Sequence, residues 1–192
     1  DNSLANPINC LPLKLGADLV IESLSKSING HSDVIGGLIA TNHEQLAQEL
    51  KFLQHTWGAI LSPFDSYLVL RGLKTLKIRS EAQAKTAIKI KQFLSKQTQL
   101  KQLFFPGFGS LISFELKPEL NALQFITNLK LIKIAHSFGG VESVIQQPAT
   151  MMSLDQAYAK IIKPGLFRLS VGLEPAQLLI SDLSQALESL IK

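Results

Sequence analysis

The densest chemistry near the start of the chain lies in Ser23-Leu24-Ser25-Lys26-Ser27-Ile28-Asn29-Gly30-His31-Ser32-Asp33. A lysine among small residues and hydroxyls can attack a carbonyl, provided it is partly desolvated and therefore able to be neutral. Nearby serine hydroxyls can donate to a phosphate without adding bulk. The same residues also describe an ordinary lysine-bearing surface turn, and the segment alone leaves both readings open. Far along the chain, Arg168 stands in Phe167-Arg168-Leu169-Ser170-Val171. An arginine in a strand is ordinarily read as one half of a structural ion pair. His31 and Asp33 could be mistaken for a metal or acid/base pair. His43, His55 and His136 are isolated, without the spacing of a metal site.

These residues need elements to hold them. Ala17 to Glu22 is a short apolar run that reads as a buried strand leading into the lysine segment. Asn29-Gly30 is a turn pair, and Val34 to Ala40, with Gly36-Gly37, reads as a second strand approached closely by a backbone or ligand. Asn42 with Gln45 three residues on resembles a capping box for a helix striped by Leu46, Leu50 and Leu53. A long helical pattern follows Ser62-Pro63, bent or broken near Gly72 and running to about Gln97. Leu76, Ala87, Ile90 and Leu94 line its buried side. Strands are expected at Leu111–Leu116, Leu131–Ala135 and Phe167–Val171, and helices at Glu119–Leu129 and from Pro175 onward. Leu179, Leu183, Leu187 and Leu190 stripe the last helix. No internal repeat or low-complexity segment interrupts this order.

Composition narrows the class. Of 192 residues, 46% are hydrophobic and 18% charged, with a mean hydropathy of +0.20. That is apolar for a soluble globular protein and implies surface buried against another chain. No apolar run approaches the ~20 residues of a membrane span, and no secretory leader pattern opens the sequence. Cys10, the single cysteine, excludes an internal disulfide and fits a reducing compartment, so a cytoplasmic protein is expected. The net charge is +4, and basic residues crowd between Lys74 and Lys101. Lys77, Arg79, Lys85, Lys89, Lys91 and Lys96 lack interleaved aromatics or a reader motif. They are read as a solvated helix face, not a nucleic-acid surface.

The lysine segment resembles the cofactor-lysine motif of the Cys/Met-metabolism pyridoxal-phosphate enzymes, usually Ser-Ala-Thr-Lys followed by Gly-His-Ser-Asp-Val. Asp1-Asn2-Ser3 resembles the family's Asp-Asn-Thr and lies 25 residues before Lys26, which is similar to the family spacing. Gly16-Ala17-Asp18-Leu19-Val20, Leu61-Ser62-Pro63-Phe64-Asp65, and Leu70-Arg71-Gly72-Leu73-Lys74-Thr75-Leu76 match in order. So do Gly139-Gly140-Val141-Glu142-Ser143 and Arg168 to Glu174. The resemblance runs from the first residue nearly to the last.

That resemblance implies an α/β fold, the C-terminal part of an aminotransferase-like (fold type I) enzyme. Residues 1–75 would complete a large cofactor-binding domain, and 76–192 would form a smaller α+β domain. Lys26 would carry pyridoxal 5'-phosphate and move protons between substrate carbons. Asp1 would pair with the pyridine nitrogen, and Ser23 and Ser25 with the phosphate. Arg168 would hold the substrate carboxylate, Ser143 would help place substrate or lysine, and Glu142 lies where the family varies with substrate preference. His31 and Asp33 become loop-shaping hydrogen-bonders, Trp57 a packing residue, and Arg71 and Lys74 structural residues near the domain junction.

The family's N-terminal half, with its stacking aromatic and further phosphate contacts, precedes the matched region. Asp1 is therefore expected not to be the biological start, or a separate chain is expected to supply the remainder. Phe104 to Gly109 fuses two motifs the family keeps apart, and the stretch after Met152 is short, with Ser153 where a histidine is common. The expected activity is that of a cystathionine γ-synthase, joining an activated homoserine to cysteine. Elimination by a cystathionine or methionine lyase is the alternative, and a chain inactive without its other half is the third. The substrates are small amino acids, the assembly a homotetramer, and neither nucleic acid nor membrane is a partner.

Overall fold

The structure is a computed structural model that describes residues 1–151 and 162–191. Ser153 therefore lies outside the described residues. Two compact units divide the chain, Asp1–Ser80 and Glu81–Lys192.

In the first unit, β1 (Leu19–Ser23) and β2 (Gly37–Thr41) form an antiparallel ribbon in which Glu22 faces Leu38 and Val20 faces Ala40. Between them lies a wide helical turn, Leu24–Ile28, which carries the lysine. Helix α1 spans Glu44–Trp57 and ends on Gly58 in the left-handed region, φ 68°. Its start differs from the expected capping box: His43, not Asn42, holds the cap position, and no side chain caps it. β2 runs through Thr41, whose hydroxyl takes the His43 N–H (3.0 Å) and donates to the Asp18 carbonyl (2.7 Å). Asn42 is thereby left as a linker. Trp57, expected to pack, is 78% exposed.

The long helical pattern resolves into α2 (Pro63–Leu73) and α3 (Leu76–Leu94). Pro63 takes the first helical position, and the Ser62 hydroxyl accepts the Asp65 N–H at 3.0 Å. The break has a local cause. The Gly72 carbonyl accepts from the Thr75 backbone and hydroxyl (both 3.1 Å) and from Arg79 (2.9 Å), instead of continuing a helical ladder. Arg79 is therefore no part of a solvated face; it is 4% exposed. Leu24, Ile28, Val34, Val69 and Leu76 make this unit's core.

The second unit is built on a five-stranded sheet of order β3-β4-β7-β6-β5, antiparallel except for β5 with β6. Its strands are β3 (Leu100–Phe104), β4 (Leu111–Leu116), β5 (Lys133–Ile134), β6 (Val144–Gln146) and β7 (Leu166–Ser170). Gly107 and Gly109, at φ 92° and 71°, close the short turn between β3 and β4, where the sequence fuses two motifs. Helices α4 (Ala122–Thr127) and α5 (Ala176–Glu188) cover one face, with the later part of α3. α4 is shorter than its expected Glu119–Leu129 because Asn121 caps it, accepting the Gln124 N–H at 3.1 Å. Asp182 of α5 then takes the N–H groups of Lys130, Leu131 and Ile132 at 2.8–3.0 Å, fixing the chain as it enters β5.

The covered face follows from period-two alternation: Ile112 pairs with Leu169 and Phe114 with Phe167, all fully buried. Phe114, Phe125 and Phe167 form a mutual cluster with centroids 5.0–5.8 Å apart. Removing the Phe114 ring leaves a cavity that this packing cannot collapse. Phe114→Ala is expected to cost about 3–5 kcal/mol, read as a lowered urea midpoint at unchanged slope.

Candidate active site

Alternation leaves the opposite sheet face of the second unit to polar residues. Arg168 pairs in register with Gln146 on one side and Ser113 on the other. One Nη donates to the His136 carbonyl at 3.2 Å, and the guanidinium lies 5.2 Å from the Phe138 ring centroid. Gln146 meets the His136 ring at 3.2 Å. Among the described residues, Arg168 Nε and Gln146 Oε1 are sealed from solvent without a hydrogen-bond partner. Burial lowers the Arg168 pKa from its ordinary value, yet a guanidinium stays charged. A sheltered cation with an unused donor is suited to a ligand's carboxylate. His136, Phe138 and Gln146 were missed as site residues; only the fold gathers them around Arg168.

Ser143 is buried and its hydroxyl is committed: it donates to Glu174 Oε2 (2.7 Å) and accepts from the Gly172 N–H (2.8 Å). Its own N–H donates to the other Glu174 oxygen at 2.6 Å. Ser143 therefore ties the start of β6 to the loop after β7, and Glu174 is a structural partner that its acidic type alone did not signal. Glu142 points elsewhere, pairing with Lys133 at 3.1 Å on the surface.

In the first unit, Asp1-Asn2-Ser3 lies along β1. The Asn2 N–H donates to the Ile21 carbonyl (2.9 Å), and the Ser23 N–H donates to the Ser3 hydroxyl (2.8 Å). Asp1 accepts the Ser3 N–H at 2.8 Å and is itself exposed. Its carboxylate thus stands beside the strand that leads into Lys26. Within the turn, Lys26 alone leaves helical dihedrals (φ −101°, ψ −136°), and it is half-buried. Its carbonyl accepts the Gly30 N–H at 2.8 Å. The Ser25 hydroxyl accepts the Gly36 N–H (2.9 Å) and contacts the Gly36 carbonyl (3.4 Å), pinning the turn to the chain entering β2. Asn29, 1% exposed, donates to Asp33 (2.6 Å) and its carbonyl meets His31 Nδ1 (2.7 Å). Those bonds shape the loop, the role expected for His31 and Asp33. Asp1, Ser23, Ser25 and Lys26 thus share one unit; Glu142, Ser143 and Arg168 belong to the other.

Beside this loop, an apolar hollow of about 670 Å³ is lined by Val20, Leu24, Ile28, Leu38 and Val69, with Glu22 among them. Burial pushes the Glu22 carboxyl above its ordinary value of 4.5, opposed by the hydrogen bond from Asn2 at 2.6 Å. With the folded value raised, the folded state holds a proton that the unfolded state has released above pH 4.5. Stability tied to this proton is present below that pH and lost as pH rises through the folded value. Glu22→Gln is therefore expected to raise the melting temperature at pH 8, with the gain vanishing below pH 4.5 in a pH series of thermal melts.

Among the described residues, no three His, Cys, Asp or Glu side chains gather as a metal site. No helix there is long and apolar enough to cross a membrane.

A family profile described as Cys/Met metabolism PLP-dependent enzyme matches residues 1–188. A cystathionine beta-lyase of Lactococcus lactis subsp. cremoris (strain MG1363) is 42% identical over 208 residues, covering 98% of this chain and 55% of that protein. An L-methionine gamma-lyase of Fusobacterium nucleatum subsp. polymorphum is 42% identical, covering 99% and 54%. The crystal structure of cystathionine gamma synthase from Xanthomonas oryzae pv. oryzae, with aminoacrylate and cysteine, superposes with a TM-score of 0.95 at 37% identity. It covers 100% of this chain and 55% of its own. The chain thus spans about half the length of the curated relatives it matches. The stretch matched in the lyases is also longer than this chain, in keeping with shortened segments here.

Proposed function

Because the chain belongs to the Cys/Met-metabolism family of pyridoxal-phosphate-dependent enzymes, we propose that it supplies the cofactor lysine and substrate-carboxylate anchor of an enzyme acting on carbon–sulfur bonds. The donor set suits that cofactor: an amine for its aldehyde and hydroxyls for its phosphate on β1 and the turn after it, and a carboxylate for its ring nitrogen on the segment beside β1. Bound pyridoxal phosphate supplies an electron sink for a carbanion at the substrate's Cα. Lys26 holds the cofactor and carries protons to and from the substrate carbons. Asp1 holds a proton on the ring nitrogen, and Ser23 and Ser25 orient the phosphate, Ser25 through the same hydroxyl that meets Gly36. Arg168 binds the substrate carboxylate through its planar fork. Ser143 helps to place the substrate by holding the loop after β7 through Glu174, and Glu142, paired with Lys133 at the surface, is given no part in this placement. The observation that carries the reading is the sheltered Arg168 fork with its unused Nε.

Elimination from cystathionine or a related thioether amino acid is the better supported reaction, because both curated relatives above are lyases. γ-Replacement of an activated homoserine by cysteine comes second, supported by the synthase that superposes along the whole chain. This reverses the order expected from sequence alone. The complete protein given cystathionine alone is expected to release a 2-oxo acid, ammonia and a thiol amino acid. Cystathionine formed from acyl-homoserine and cysteine, with no 2-oxo acid from cystathionine, would instead establish replacement.

The rest of the machinery belongs, in this reading, to a preceding segment or a neighbouring subunit of a homotetramer in the cytoplasm. A two-stranded ribbon is marginal by itself, and Ile21, Ile35, Ile39, Phe64 and Leu70 are at least half exposed in the same unit. Residues 1–192 produced alone are expected to show no turnover. Sedimentation of the complete protein as a tetramer supports the assembly, and a monomer removes it.

A further inference from the structure

We propose that Arg79 is a positioning residue for Lys26, a role that rests on Lys26 being the cofactor lysine. The Arg79 guanidinium donates to the carbonyls of Ser27 (2.9 Å) and Ile28 (3.0 Å), the two residues immediately after the lysine. Its other bonds run to the Gly72 carbonyl (2.9 Å) and the Thr75 hydroxyl (3.0 Å), at the break between α2 and α3. One side chain thus ties the lysine turn to a helix junction through four uncharged acceptors.

The surroundings are shaped to admit it. A Cβ on Gly30 would overlap the Arg79 guanidinium, and a Cβ on Gly72 would overlap the Asn29 carbonyl. Both glycines therefore permit the lysine loop and the helix junction to meet at backbone distance. Since Lys26 departs from helical dihedrals, the carbonyls after it are turned out of a regular ladder, and Arg79 satisfies two of them. The clamp fixes the backbone from Ser27 to Gly30, and with it the direction in which the Lys26 side chain leaves the turn. A lysine at 79 has the charge but not the fork, so it cannot reproduce the bonds to three carbonyls.

The test compares Arg79→Met, Arg79→Lys and the milder Thr75→Val with Lys26→Ala, all in the complete protein loaded with pyridoxal phosphate. Arg79→Met is expected to speed hydrogen exchange at the Asn29 and Gly30 amides by about tenfold or more, the scale of one lost bond to a charged donor. Visible circular dichroism per bound cofactor falls, because the cofactor's orientation is no longer fixed. kcat falls about tenfold while KM moves less. Arg79→Lys recovers little of this, and Thr75→Val shifts each readout in the same direction by less. Unchanged visible dichroism and loop exchange in Arg79→Met overturn the proposal. If that variant does not fold, the same null result in Thr75→Val overturns it. A visible band that survives Lys26→Ala removes the cofactor-lysine reading, and the positioning role with it, whereas loss of the band there alongside null Arg79 results removes the positioning role alone.

Discussion

Lys26→Ala is expected to lower kcat of the complete protein by about 10⁴-fold, the upper range for loss of a positioned proton carrier. The visible absorbance of covalently held cofactor should disappear with it. The size of the effect follows from the two duties proposed for one amine: holding the cofactor and moving protons at the substrate carbons. Backbone bonds that shape the turn survive the change. The Lys26 carbonyl keeps its bond from Gly30, and Ser25 and Arg79 hold the backbone on either side. A small primary amine added to the variant is expected to restore part of the rate, since it replaces the missing base without the tether. Full activity in Lys26→Ala would sink the functional reading.

Arg168→Ala is the second large expectation. Two charge-assisted bonds to a substrate carboxylate are lost, about 3 kcal/mol or more, which is roughly 10²-fold or more in kcat/KM. Arg168→Lys should recover only a small part, because an ammonium is a point charge where a planar fork is required. The sheet should tolerate both changes. The position is held by backbone pairing to Ser113 and Gln146, and within the described residues the side chain's one hydrogen bond goes to the His136 carbonyl. A substrate analogue lacking the carboxylate should bind wild type and Arg168→Ala alike. If Arg168→Ala instead lowers the melting temperature severely and leaves KM alone, Arg168 is structural.

Much of this fold was legible because period and punctuation agree with it. β4 falls on Leu111–Leu116 as its alternation indicates, and Leu179, Leu183 and Leu187 are fully buried as their spacing requires. β3 and β6 went unread for different reasons. Leu100–Phe104 is a half-exposed edge strand with little alternation, and Val144–Gln146 is too short to display a period. The site was legible as isolated residues and not as an arrangement. Arg79 is one basic residue in a lysine-rich helix, and only its contact with the turn around Lys26 separates it from its neighbours. Arg71 and Lys74 drew attention near the junction, yet both are exposed while Arg79 carries the buried bonds. Glu174 behaves likewise: its role depends on β7 returning the chain to Ser143. Contacts of such long sequence separation leave no local pattern.

The most direct measurement reduces the cofactor-loaded complete protein with borohydride, digests it and locates the modified residue by mass spectrometry. Attachment of the reduced cofactor to the peptide containing Lys26, and loss of that label in Lys26→Ala, is the predicted result. Reduced cofactor on another lysine, such as Lys14 or Lys74, or no stable attachment at all, would contradict the assignment of Lys26.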